Sequence, residues 1–116
     1  MRTPQFLILR GSSPTLRLKL PERPDAADVI YLSFSQGGRV RLEYAINGAA
    51  SPAGTGTLAV DAAEEDVLDA ALSQADTLRL DAGTCTLQLR QRAGTEARTY
   101  LPVEGYVGQA LKQGEI

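Results

Sequence analysis

Apolar residues recur at every second position along most of this chain, and the clearest case lies between residues 68 and 90. Leu68, Ala70 and Leu72 share one face of a first segment, and Cys85, Leu87 and Leu89 share one face of a second. A period of two belongs to a strand with one buried side and one wet side. Ser73-Gln74-Ala75-Asp76-Thr77 interrupts the pattern, and Ser73 is placed to cap a short helical turn. Asp81-Ala82-Gly83 supplies a turn before the next strand begins.

The same reading extends in both directions. Pro4 to Arg10 is a first strand whose run Phe6, Leu7, Ile8 and Leu9 is apolar on both faces, the pattern of a central strand or a subunit contact. Leu16, Leu18 and Leu20 alternate with Thr15, Arg17 and Lys19 in a half-buried strand, and Asp25 to Asp28 allows one helical turn. Leu32 and Phe34 face inward on one arm of a hairpin, with Val40, Leu42, Tyr44 and Ile46 on the other. Gln36-Gly37-Gly38 joins the arms, with glycine free to adopt positive φ. From Asn47 to Gly56 the composition turns to Gly, Ala, Ser and Pro, which reads as a mobile surface loop without an anchor. Thr57 to Asp61 is a short strand with Leu58 and Val60 inward.

Residues 62–71 satisfy both periods. Ala63, Val67, Ala70 and Ala71 form a weak helical stripe, while Leu68, Ala70 and Leu72 alternate. A turn through Glu65 followed by a strand matches the neighbours better. Ala93-Gly94-Thr95-Glu96 is a hairpin turn, and Ala97 to Val107 the last strand, with Leu101, Val103 and Val107 inward and Pro102 marking an edge or a bulge. The tail, 110–116, is polar and reads as frayed. These elements predict an all-β domain spanning 1–116: a two-sheet antiparallel, immunoglobulin-like β-sandwich of about eight strands, with at most one short helical turn near 73–77.

A chain of 116 residues has room for one ordinary core. A net charge of −2 offers no basic field for nucleic acid. No apolar run reaches membrane-spanning length, and the first residues lack the form of a signal peptide. Synthesis in the bacterial cytoplasm without export by the general secretory route is the expectation.

Candidate chemistry is sparse. The chain contains no histidine and no tryptophan, and its single cysteine, Cys85, falls on an inward position. Buried there without a base, it is expected to be inert. Neither Gly37-Gly38 nor Gly54-Gly56 precedes the helix and lysine of a phosphate loop. Asp61, Glu64, Glu65, Asp66 and Asp69 do not follow the alternating oxygen spacing of a calcium loop, and read as a solvated hairpin tip. No catalytic residue, metal or cofactor is expected.

Several stretches carry a resemblance. Tyr31-Leu32-Ser33-Phe34-Ser35-Gln36-Gly37-Gly38, Leu72-Ser73-Gln74-Ala75-Asp76-Thr77-Leu78, Gly83 with Leu87-Gln88-Leu89-Arg90, Leu111-Lys112-Gln113-Gly114-Glu115-Ile116 and Thr3-Pro4 match, in order, small proteins encoded in prophages of Gram-positive bacteria. That group resembles the N-terminal β-sandwich of phage upper baseplate proteins. The resemblance implies a non-enzymatic assembly module of a phage tail or baseplate, found in the virion tail and contacting other tail proteins or its own copies. A carbohydrate- or receptor-binding module at the tail tip is the alternative, with Tyr31, Tyr44, Tyr100 and Tyr106 as its candidate platform.

Residues suited to such contacts are the apolar Phe6, Leu7, Ile8 and Leu9, the acidic Glu64, Glu65 and Asp66, and the basic Arg90 and Arg92. Acidic side chains concentrate between Asp61 and Asp69, and basic ones lie mainly on strands outside that stretch. If the bases gather on another surface, the molecule is electrostatically two-sided.

Overall fold

A computed structural model of the chain describes residues 5–100, 102–109 and 115. In chain order its elements are β1 (Leu7–Leu9), β2 (Thr15–Lys19), β3 (Val29–Gln36), β4 (Arg39–Ile46), β5 (Thr57–Val60), β6 (Val67–Ala71), α1 (Gln74–Leu78), β7 (Gly83–Ala93), β8 (Glu96–Thr99) and β9 (Val103–Gly108). The larger sheet has the order β1-β9-β7-β3-β4, with β8 also pairing β7; the smaller has the order β2-β6-β5. This is the expected two-sheet sandwich.

Alternation builds the core. Leu32, Phe34, Leu42, Tyr44, Cys85, Leu87 and Leu89 come from the larger sheet, and Leu68 and Ala70 from the smaller; all are buried. Each large apolar side chain removed from water contributes about 1.5–3 kcal/mol. The hairpin between β3 and β4 closes through Gly37 (φ 60°) and Gly38 (φ 75°), two consecutive left-handed positions of the kind that match strand twist. Residues 67–71 are strand, and Ser73 caps the helical turn, its Oγ accepting from the Asp76 amide at 3.1 Å.

Several expectations are corrected. The first strand is not central: β1 is an edge strand, parallel to β9, with Ile8 buried but Leu7 and Leu9 62% and 46% exposed. That pair also makes the sandwich not purely antiparallel. A bulge between Phe34 and Ser35 shifts the β3–β4 register, and Val40 is thereby turned outward. Val60 is exposed as well. Residues 26–27 form a turn rather than a helical turn. The last strand is two, β8 and β9, separated around Pro102, whose missing N–H cannot extend a ladder.

The stretch 47–56 has anchors that its composition concealed. Asn47 Nδ2 donates to Ala26 O and Asp28 O, and Glu43 N donates to Pro52 O while Gly54 N donates to Glu43 O. Leu101 and the tail residues 110–114 and 116 lie outside the described residues.

Candidate functional site

The two sheets are unequal, and the mismatch leaves an opening. On the side where β2 ends the smaller sheet, the larger one continues past β7 into β8 and β9. A cleft of about 470 Å³ lies there. Leu16, Leu18 and Leu20 line it from the smaller sheet; Leu87, Leu89, Val103, Tyr100 and Phe6 line it from the larger. Leu20, Leu87 and Leu89 are buried, whereas Phe6, Leu16, Leu18, Tyr100 and Val103 are half-buried around the mouth. Gln5, Thr15, Arg17 and Lys19 form its polar rim.

Two walls of the cleft are fixed by identifiable interactions. Phe6 lies against Gly105, where an added Cβ would come within 2.4 Å of the ring, and stacks edge-on to Phe34 with centroids 6.5 Å apart. Glycine at 105 is what lets the ring approach β9. Tyr100 donates from its amide to Leu89 O (3.0 Å) and from its hydroxyl to Gln91 Oε1 (2.9 Å). Gln91 in turn donates from Nε2 to the buried Asp28 carboxylate at 2.8 Å. The polar end of Tyr100 is thus satisfied, and its ring is held in the wall.

The rim strand has a free edge. Leu20 N donates to Asp66 O and Leu72 N donates to Pro14 O, so the even-numbered positions of this stretch face β6 along the ladder. By antiparallel alternation, the backbone N–H and C=O groups of Thr15, Arg17 and Lys19 point away from β6. No strand of the described residues pairs with them. The apolar slot thus lies beside backbone groups that no strand of the described residues pairs.

The acidic stretch is paired with basic side chains of the same region. Arg17 reaches Asp69 at 3.2 Å and Asp61 at 3.3 Å, Lys19 reaches Asp66 at 2.5 Å, and Arg23 pairs with Glu65. A hydrogen bond shared with Asp69 and the amides of Glu64 and Ala63 hold Asp61 down at about 2, while Asp69, bonded to Asp61, is raised. Acids and bases therefore interleave on the smaller sheet. The electrostatically two-sided arrangement does not hold there.

A second polar constellation is structural. Asp76 is fully buried, and its carboxylate accepts from the Tyr44 hydroxyl (2.5 Å), the Thr55 amide (2.9 Å) and the Gly56 amide (2.8 Å). Burial pushes this carboxyl up, but the Tyr44, Thr55 and Gly56 donors outweigh it and leave the group below the usual carboxylate range. Arg79 adds a bond from Nη1 to Ala53 O. Together they fasten the 53–56 segment to α1.

The anticipated contact residues occupy separate places. Phe6 to Leu9 lie at and beside the β1 edge, with Phe6 turned into the cleft. Glu64, Glu65 and Asp66 sit in the β5–β6 turn, committed to Arg17, Lys19 and Arg23. Arg90 and Arg92 stand exposed on the outer face of β7. The four tyrosines are likewise dispersed: Tyr44 is core, Tyr100 lines the cleft, and Tyr31 and Tyr106 share neither setting. Cys85 is buried, which pushes its thiol up to about 11. Sequence reasoning missed the cleft, because strand alternation does not reveal which strands of two sheets face each other.

No protein-family model matches the chain, and no curated protein matches it. Among solved structures it is similar to CopC from Methylosinus trichosporium OB3b, at 14% sequence identity and a TM-score of 0.53. The likeness covers 92% of this chain and 88% of that one, and establishes the β-sandwich. It also corrects the functional expectation: the neighbour is CopC and not a phage structural protein. The tail or baseplate module, with its tail-tip sugar- or receptor-binding alternative, is withdrawn.

Proposed function

We propose that this chain is a non-enzymatic recognition domain that takes up an extended, alternately apolar segment of another protein as an added strand beside β2. The observation that carries this reading is the coincidence of the apolar cleft with the free backbone edge of Thr15, Arg17 and Lys19. An incoming strand would gain main-chain hydrogen bonds from that edge. Its alternate side chains would enter the slot between Leu16 and Leu18 on one side and Leu89 and Val103 on the other. Burying half-exposed apolar surface supplies the drive, at about 25 cal/mol per Å² removed from water.

The residues present argue for binding rather than for chemistry. The polar groups at the mouth, Gln5, Thr15, Arg17 and Lys19, include no acid–base pair. Cys85 is not part of the lining, and its burial keeps it protonated. The chain has no histidine, and no three of His, Cys, Asp and Glu among the described residues form a cluster able to hold an ion.

The test is selection from a library of dodecapeptides that alternate apolar and polar residues, against the native chain and against Arg17→Pro. Proline removes an outward N–H without touching the β6 ladder. The expected result is enrichment on the native chain, loss on the variant, and protection of the Thr15, Arg17 and Lys19 amides from exchange. Equal recovery on both proteins, or no enrichment at all, would sink the strand-addition reading.

A further inference from the structure

The outer face of the larger sheet carries charge that the fold does not neutralise. On the strands, Arg17, Lys19, Arg41 and Arg98 each have a carboxylate partner. Among the described residues Arg39, Arg90 and Arg92 have no ion pair. Arg39 lies beside the β3–β4 turn, but Arg90 and Arg92 stand on β7, in the interior of the sheet. The register shows why they lack partners. Arg90 lies opposite Tyr31 on β3 and Thr99 on β8, and Arg92 opposite Val29 and Ala97. The positions directly opposite both arginines are uncharged, in contrast to Arg17, which lies directly opposite Asp69, and Glu43, which lines a hollow with Arg90, accepts from the Ser33 hydroxyl and the Ser51 amide.

The two arginines also frame a shape. A hollow of about 200 Å³ is lined by Arg90, Arg92 and Arg98 together with Val29, Tyr31 and Ala97. The Tyr31 ring is backed by the 47–56 segment: a Cβ at Gly48 would come within 2.5 Å of its hydroxyl. The hollow therefore has the two guanidinium groups without an ion pair, and that of Arg98 held by Glu96, beside apolar and phenolic surface. Residues i and i+2 of a strand are about 6.6 Å apart, the spacing of alternate side chains in any extended chain laid along it.

We propose that this face is a second interaction surface, which binds an extended acidic segment of a partner protein through Arg90 and Arg92. Carboxylates at alternate positions of such a segment match the two guanidinium groups one to one, each able to make a bidentate contact. Nucleic acid is the poorer occupant. A chain of net charge −2 with two adjacent free arginines lacks the field that a phosphate backbone requires. The surface lies on the opposite side of β7 from Leu87 and Leu89, so it stands independently of the cleft.

Binding of a fluorescent (Glu-Ser)4 peptide, followed by anisotropy at low and physiological salt, tests the assignment. The expected result is saturable binding that weakens with salt, is lost about tenfold or more in Arg90→Ser/Arg92→Ser, and is unchanged in Arg39→Ser. Titration of the native chain by NMR should shift Tyr31, Arg90 and Arg92, which reads the site even if a variant fails to fold. No binding, binding insensitive to the double substitution, or tighter binding of a single-stranded oligonucleotide would each overturn it.

Discussion

Asp76 is the side chain on which most local order depends. It satisfies two loop amides and a buried phenol at once, and no residue other than an ionised acid accepts from all of them. Asp76→Asn would place donors against donors and should cost about 2–4 kcal/mol in denaturant unfolding, against about 1 kcal/mol for Tyr44→Phe. The pH dependence has a definite sign. Because the folded carboxyl titrates below its unfolded value, its contribution is complete above about pH 4 and is lost as pH falls through the folded value. A urea series from pH 6 to pH 3 should show that acid loss in the native chain and less of it in Asp76→Asn. Identical slopes would mean that Asp76 is not the titrating group. Cys85 offers a simpler check, since burial raises its thiol to about 11. It should label with maleimide only after unfolding, and fast labelling of the native chain would reverse the faces assigned to β7.

At the scale of elements, most strands are legible from alternation, whereas their places in the two sheets are not. The β3–β4 hairpin, the strand over 67–71 and the cap at Ser73 follow from alternation, from Gly37-Gly38 and from one hydroxyl; these are local signals. The place of β1 depends on pairing with β9 at the far end of the chain, so its doubly apolar pattern read as central although it is an edge. The anchoring of 47–56 was hidden for the same reason: its partners, Glu43 and Asp76, lie outside the segment. Of the candidate site, the sequence indicated Leu16, Leu18, Leu87 and Leu89 as inward, yet not that β2 and β7 leave a gap beyond them. That gap makes a prediction about Gly105. Gly105→Ala should push the Phe6 ring off β9, destabilise the chain by about 1–3 kcal/mol, and raise the fluorescence of an apolar dye bound in the cleft. Leu89→Ala, by contrast, should cost about 2–5 kcal/mol through a cavity in the shared core. A loss well under 1 kcal/mol there would contradict the packing of β7 against β2.

At the scale of the whole molecule, the β1 and β2 edges differ in character, and their difference can be measured in one experiment. The β1 edge is short: Leu9 O already accepts from the Ser12 amide, although Leu7, Leu9 and Tyr106 leave apolar surface around it. The β2 edge is longer, lies beside the cleft, and is flanked by Arg17 and Lys19, whose charges are already compensated. Those compensated charges lower the cost of covering the edge, because an incoming strand need not strip water from an unpaired cation. A selected alternating peptide should therefore protect the amides of Thr15, Arg17 and Lys19 and leave that of Leu7 exchanging as before. Linkage then fixes the stabilisation: at a hundredfold excess over its dissociation constant the peptide should add about 2.7 kcal/mol. The increment should persist in high salt, since the contact is apolar and main-chain rather than ionic. Protection centred on Leu7 instead would assign the recognition edge to β1, and stabilisation that disappears with salt would move the contact to Arg90 and Arg92.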